Sequence, residues 1–135
     1  MSKIYISLEC GGILEEDYGV ITSPNWPNVY NGDLHCKWEF KSFKTVEILD
    51  MDIGADDDLC TDYLRVDRSR YCGASDKDRV FHSTDVLRFH SKGSNIEGYN
   101  GFILIWYSSS QVLIPWYIPS KYILVSLNLI RRSLN

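Results

Sequence analysis

Hydrophobic and polar positions alternate in short runs along the first 108 residues, and the spacing of an amphipathic helix is rare. The alternation is clear in Lys37–Phe40 and in Lys44–Asp52. In the second run the apolar residues switch midway from even-numbered to odd-numbered positions, which predicts a bulge or a register change. Gly101–Tyr107 is almost continuously apolar, as in a central strand buried on both sides or an edge strand covered by another part of the chain. Short strands separated by turn residues at this spacing predict an all-β sandwich.

Length and charge narrow the picture further. A chain of 135 residues suits one domain with its own core and is short for two. We divide it into a lead-in over residues 1–9, a domain over 10–108 and an apolar extension over 109–135. All 18 acidic groups precede Ser109, so the domain is more acidic than the net charge of -4 suggests. Such a domain lacks the basic footprint of a nucleic-acid binder and is suited to metal ions or to basic side chains of a partner.

The four cysteines, at positions 10, 36, 60 and 72, indicate an oxidising compartment. They permit three disulfide connectivities, of which the sequential one closes loops of roughly 27 and 13 residues. A zinc site of four cysteines needs closely spaced pairs, and the sequence contains none. Disulfides, and with them an extracellular location, are therefore the favoured interpretation.

The two ends of the chain leave further questions open. The first eight residues show no secretory leader, so an extracellular chain has lost its leader or is a fragment of a longer secreted protein. Residues 112–130 have the length and apolar character of a membrane span, and two arginines follow them. A lysine, two prolines and an asparagine interrupt the segment. We expect an adventitious extension rather than a membrane span, and membrane insertion stays an alternative.

The cysteines and the motifs between them resemble the CUB domain family over about Cys10 to Ser108. The motifs are, in order, CGGIL at 10–14, YGVITSPNWP at 18–27, Tyr30, CKW at 36–38, LDMD at 49–52, DYLRV at 62–66, YCG at 71–73, VLRFHS at 86–91 and GF at 101–102. Their order and spacing together are specific, although each is weak alone. The resemblance implies a β-sandwich of two antiparallel sheets, with disulfides Cys10–Cys36 and Cys60–Cys72. It also implies a non-catalytic extracellular interaction module.

The resemblance raises the question of a calcium site. Many CUB domains hold Ca²⁺ at one end of the sandwich, where the ion organises the loop that captures a basic side chain of the partner. Carried onto this chain, the family ligands become Asp52, Asp62 and Ser94, supported by Tyr18. Lys92 stands where the family has an aspartate. In addition, the first acid is aspartate rather than glutamate, and the spacing after the third cysteine is one residue shorter.

Two readings of this end therefore stay open. In the first, Asp56, Asp57 or Asp58 folds into the site and completes the oxygen ligands of Ca²⁺. In the second, these acids form a solvated loop, and Lys92 pairs with them in place of the metal.

The aromatic and histidine residues invite functional readings that we weigh against simpler ones. Trp26 and Tyr30 lie in the proline loop and are predicted to pin that loop to the core. His35, His82 and His90 belong to no catalytic or metal-binding motif. Because the last two are placed on different predicted strands, we interpret the three as scattered surface residues.

These observations predict a non-enzymatic module that recognises a protein or glycan partner through a Lys or Arg side chain. The residues that we expect to bind it are Asp52, Asp62 and the acidic loop 56–58, with or without Ca²⁺. Two alternatives remain: a non-catalytic regulatory module of a larger secreted protease, and a truncated product without independent function.

Overall fold

The regular structure of the described residues consists of strands. The computed structural model describes residues 5–55, 59–93 and 97–108. Eight strands follow one another along these ranges: β1 Tyr5–Ser7, β2 Gly12–Leu14, β3 Tyr18–Thr22, β4 Gly32–Asp52, β5 Tyr63–Val66, β6 Ser69–Tyr71, β7 Val80–Gly93 and β8 Gly101–Tyr107. The predicted all-β fold class is confirmed.

Strand β4 is 21 residues long and has different neighbours along its length. Gly32–Glu39 lies antiparallel to the second half of β7, and Lys44–Glu47 lies antiparallel to its first half. From Thr45 to Asp52 the strand also pairs, on its other edge, with β8. Register shifts bend the strand, and one of them falls between Ile48 and Asp50, inside the run where the change of parity predicts it. The strand thereby passes from one layer of the sandwich to the other.

Because both layers share β4, the sandwich is one continuous hydrogen-bonded sheet that folds over itself. The strand order is β1-β3-β8-β4-β7-β5-β6, and β2 pairs with β4 off this path. The pairs β1–β3 and β2–β4 are parallel, and the other strand pairs are antiparallel. The expectation of two antiparallel sheets therefore describes the two layers but not these short parallel pairs.

The main core lies between the two layers and is rich in aromatic rings. Trp38 on β4 and Phe89 on β7 both meet Phe102 of the opposite layer edge to face, with ring centroids 6.0 and 5.3 Å apart. All three side chains are fully buried, and such pairs add about 0.5–1.5 kcal/mol beyond the burial of their area. The layers are thus held together by interlocking rings.

Strand β8 is central and covered on both faces. It lies between β3 and β4, and its inner face contributes to the main core. On its outer face Ile103 packs with Val20, Leu49 and Trp26 in a second apolar cluster. Trp26 is 3% exposed, so it pins the proline loop to the sheet as predicted.

Both disulfides have the predicted pairing. Cys10–Cys36 joins the segment before β2 to β4, with Cα atoms 4.7 Å apart. Cys60–Cys72 joins the two open ends of the β5–β6 hairpin, with Cα atoms 5.5 Å apart. The second bridge therefore restrains the residues just before β5, and one of these is the candidate site residue Asp62.

Within the described ranges, no helix has the length and apolar character needed to cross a membrane. The apolar segment 112–130 lies outside those ranges.

The proline loop is also tied to the start of β8 by a reciprocal pair of hydrogen bonds. The Ser23 amide donates to the Phe102 carbonyl at 3.0 Å, and the Phe102 amide donates to the Ser23 hydroxyl at 3.0 Å. Gly101 has φ +89°, and a Cβ placed there would overlap the Ser23 side chain. The close approach of loop and strand therefore requires glycine at this position.

We predict that Gly101→Ala destabilises the fold more than Gly73→Ala. Gly73 also has a positive φ, of +77°, but a Cβ there meets nothing within 4 Å. Both variants incur about 1–2 kcal/mol of backbone strain, and only Gly101→Ala adds an overpacking cost of about 1–3 kcal/mol. Free energies of unfolding from urea titrations measure the difference. Equal values for the two variants would show that loop and strand can separate at little cost.

Candidate functional site

One end of the sandwich brings two candidate carboxylates next to a buried tyrosine. Asp52 ends β4, and Asp62 precedes β5. Between them Tyr30, which is fully buried, directs its hydroxyl toward this end. The hydroxyl donates to Asp62 Oδ2 at 2.7 Å and accepts from the Gly54 amide at 3.0 Å. We call the two aspartates and the groups that hold them the acidic end.

The phenol of Tyr30 is kept neutral by its surroundings. Burial raises its pKa most strongly, while the Gly54 amide acts in the opposite direction. The hydrogen bond to Asp62 and the negative charges of Asp62 and Asp52 raise the pKa further. Tyr30 therefore stays protonated at physiological pH and remains a hydrogen-bond donor to Asp62.

Backbone amides fix both carboxylates in orientation. Asp62 Oδ1 accepts from the Lys92 amide at 2.9 Å, and Asp52 Oδ2 accepts from the Asn100 amide at 3.2 Å. Among residues 5–55, 59–93 and 97–108, neither carboxylate forms an ion pair with a Lys, Arg or His side chain. Their charges are thus oriented by dipoles but not neutralised by a side chain of the described part.

Lys92 contacts Asp62 through its backbone and not through its ammonium group. In a β-strand alternate side chains point to opposite faces, so Lys92 shares the outward face of β7 with His90, whereas Ser91 between them is buried. No carboxylate of the described residues lies within 4.0 Å of the ammonium group. The other partners considered for this lysine, Asp56, Asp57 and Asp58, lie outside the described residues.

The structure does not bring Tyr18 to the acidic end. Strand β3 runs antiparallel to β8 with Tyr18 opposite Tyr107, whereas Asp52 lies opposite Gly101 at the other end of β8. The residue that supports the carboxylates is Tyr30, which the sequence interpretation assigned only to anchoring a loop. Because a buried hydroxyl needs a hydrogen-bond partner, the predicted packing of Tyr30 against the core could have indicated this second role.

The acidic end partly matches the calcium ligands that the resemblance implies. Carboxylate oxygens suit Ca²⁺, which takes six to eight oxygen ligands. The described residues bring together two carboxylates, Asp52 and Asp62, and contain no group of three or more His, Cys, Asp or Glu side chains able to hold a metal. Ser94 and the loop 56–58 lie outside the described residues. The described part alone therefore does not fit a calcium site.

The histidines are less scattered than the sequence interpretation holds. His82 and His90 lie on the same strand, β7, and not on two different strands. His35 on β4 is directly opposite His90 in the β4–β7 ladder, with their Nδ1 atoms 3.0 Å apart. Sequence spacing could not show this pair, because the two residues are 55 positions apart and the register of their strands is set by the fold.

Comparisons with known proteins agree with this architecture. The model of the CUB domain family matches residues 10–105. Cubilin from Rattus norvegicus is 30% identical over 115 residues, which is 76% of this chain and 3% of cubilin. The chain thus spans a small part of the length of this relative.

Solved structures show the same fold. The CUB1-EGF-CUB2 domains of rat MASP-1 superimpose with a TM-score of 0.64 at 24% identity, covering 72% of this chain and 42% of that one. The MASP-1 CUB2 domain, solved bound to Ca²⁺, gives a TM-score of 0.58 at 19% identity, covering 71% and 96% of the two chains.

We predict that Tyr30→Phe lowers the free energy of unfolding by about 1–3 kcal/mol, because it leaves the buried Gly54 amide and one Asp62 oxygen without their partner. Tyr99→Phe is the matched control, since the Tyr99 hydroxyl donates to exposed Glu97. We expect the control to cost less than about 1 kcal/mol. Urea unfolding of both variants provides the measurement, and an equally small loss in Tyr30→Phe would contradict the structural role given to its hydroxyl.

Proposed function

The chain belongs to the CUB domain family, whose domains are non-catalytic interaction modules of extracellular proteins, and we propose that it binds a basic side chain of a protein partner through Asp52 and Asp62. The observation that carries the proposal is the state of these two carboxylates. Both are oriented by hydrogen-bond donors, and within the described ranges neither has a cationic side chain as its partner. A lysine or arginine of the partner would supply the missing charge.

Preorganisation makes such a contact stronger than an ordinary surface pair. Exposed ion pairs contribute only about 0–1 kcal/mol, partly because two mobile side chains must be ordered. Asp62 is already held through both oxygens, by Tyr30 and by the Lys92 amide, so less ordering remains when a partner docks. Charge-assisted hydrogen bonds to an amine or guanidinium would then strengthen as the interface excludes water.

We further propose that the partner's basic group contacts the carboxylates directly. Two carboxylates in the described part suit one ammonium or guanidinium group, whereas Ca²⁺ asks for six to eight oxygens. Ca²⁺ remains the alternative cation, because a related domain, MASP-1 CUB2, was solved bound to Ca²⁺.

We also place the chain in the extracellular space. Two disulfides that use all four cysteines support this location, since such bridges persist in oxidising compartments.

A peptide titration tests the direct contact. We predict that a short capped peptide with two lysines shifts the backbone amide resonances of Gly54, Lys92 and Asn100, because these amides are bonded to Tyr30 or to the two carboxylates. A peptide with glutamates in place of the lysines serves as the charge control and should leave them unchanged. Two-dimensional ¹H–¹⁵N NMR of the full chain gives the readout.

Charge-removing variants show whether the carboxylates cause these shifts. Asp52→Asn and Asp62→Asn should each weaken the peptide response, whereas Asp85→Asn should keep it. Asp85 is an exposed aspartate of β7 near Asp67, at the other end of β5. If Asp62→Asn disturbs Tyr30, then Asp52→Asn still decides the matter. Shifts that persist in Asp52→Asn, or that vanish equally in Asp85→Asn, would overturn the proposal.

Calcium dependence can be measured separately by thermal melting in 2 mM Ca²⁺ and in EDTA. We expect the wild-type chain to melt at the same temperature in both, and Lys92→Asp to gain stability in Ca²⁺. At a free Ca²⁺ concentration 100 times its dissociation constant, a new site would raise the free energy of unfolding by about 2.7 kcal/mol. Such a gain raises the melting temperature by several degrees. A higher melting temperature of the wild-type chain in Ca²⁺ would contradict direct contact and would favour an ion that bridges the carboxylates and the partner.

A further inference from the structure

His35 and His90 form a cross-strand pair on the outward face of the sheet. They are opposite each other in the β4–β7 ladder, with ring centroids 4.5 Å apart and Nδ1 atoms 3.0 Å apart. The His35 side chain is 64% exposed, so solvent and small ions reach the pair. Two imidazole nitrogens thus converge at an accessible place outside the acidic end.

Asp33 determines which nitrogen of His35 is free to bind an ion. Its carboxylate lies 3.1 Å from His35 Nε2, and because an ionised carboxylate only accepts hydrogen bonds, Nε2 must carry the proton. In the neutral ring, Nδ1 then bears the lone pair and faces His90. A carboxylate bonded to the outer nitrogen of a histidine is the arrangement that orients metal-binding histidines in proteins.

The ring of His90 is held from its other side. Tyr63 on β5 stacks on it with centroids 5.2 Å apart and an interplanar angle of 26°. The guanidinium of Arg70 in turn covers Tyr63, 4.2 Å from the ring centroid. Both histidines are therefore oriented by neighbours, one by a carboxylate and the other by an aromatic stack.

We propose that the Nδ1 atoms of His35 and His90 together bind one divalent transition-metal ion, of the class of Ni²⁺, Cu²⁺ and Zn²⁺. Without the ion, neutral His90 donates its Nδ1 proton to His35. When the ion binds, that proton moves through water to His90 Nε2, and both rings turn until their Nδ1 lone pairs point at the ion. His90 changes tautomer, His35 keeps its proton on Nε2, and neither ring changes charge. Water fills the remaining coordination positions.

The separation of the two nitrogens favours some ions over others. With metal–nitrogen bonds of about 2.0–2.1 Å, donors 3.0 Å apart enclose an angle of about 91–97° at the metal. This angle fits neighbouring positions in square-planar or octahedral coordination, as Cu²⁺ and Ni²⁺ adopt. Tetrahedral Zn²⁺ requires the nitrogens to move apart by about 0.3 Å.

Neighbouring charges make the site selective against hard cations. Arg70 and Lys92 lie close to His90, and they line a shallow groove with it. They repel any cation that is attracted by charge alone, while Asp33 contributes one compensating negative charge. Ca²⁺ and Mg²⁺ bind oxygen ligands, whereas imidazole forms strong bonds to Cu²⁺, Ni²⁺ and Zn²⁺. The pair should therefore bind these transition metals and ignore Ca²⁺.

The full chain offers a matched control, because its three histidines are the pair and His82. Isothermal titration with NiCl₂ should show one site in the wild-type chain and in His82→Gln. His35→Gln and His90→Gln should each weaken binding by more than about tenfold, since even the loss of an outer partner costs about 10–100-fold. Asp33→Asn should weaken it by about tenfold for that reason. Millimolar Ca²⁺ should not compete.

Several results would overturn the proposal. These are the absence of binding at 1 mM Ni²⁺ and Cu²⁺, an equal loss in His82→Gln, and unchanged binding in His35→Gln and His90→Gln. Because the pair lies on the surface and circular dichroism reports whether each variant folds, a loss of binding in a folded variant is assigned to the missing ligand. The outcome is independent of the peptide titration at the acidic end.

Discussion

Strand β4 runs without a break through both layers of the sandwich. It pairs with β7 from Gly32 to Glu47 and with β8 from Thr45 to Asp52, so both layers are built on the same backbone. Its bends at the register shifts bring Trp38 of one layer against Phe102 of the other. A bulge adds a residue to one strand only and re-aims those that follow. The bends that carry β4 from one layer to the other therefore also bring the core side chains together.

The same strand delivers Asp52 to the acidic end, where a single buried hydroxyl organises the local structure. Tyr30 packs edge to face on Phe89 in the core, with centroids 5.1 Å apart, while its oxygen reaches Asp62 and the Gly54 amide. The ring contributes to stability and the hydroxyl positions a carboxylate. Core packing and the candidate binding surface are thus coupled through one side chain, and the nearby Cys60–Cys72 bridge restrains the segment that carries Asp62.

The parts of the fold that could be predicted are those that depend on local pattern or on family motifs. Alternation predicted two strands, at 37–40 and 44–52, and the bulge in the second, but the loop expected at Phe43 and Lys44 is wrong, because the two segments form one continuous strand, β4. The apolar run at 101–107 predicted a strand covered on both faces. The resemblance implied the disulfide pairing, which the structure confirms. Of the candidate ligands, Asp52 and Asp62 come together near Tyr30, but Tyr18 does not, because antiparallel pairing with β8 places it at the far end of the sandwich.

Local pattern and short motifs were enough to predict most of the strands, the cysteine pairing, the acidic character of the domain and its family. Which distant side chains meet depends on how the strands pair in three dimensions. The Tyr30–Asp62 hydrogen bond and the His35–His90 pair join residues 32 and 55 positions apart. Neither spacing has a local signature, because such contacts follow from strand register and loop closure. A shift of one residue between β4 and β7 would turn one histidine toward the core and separate the pair.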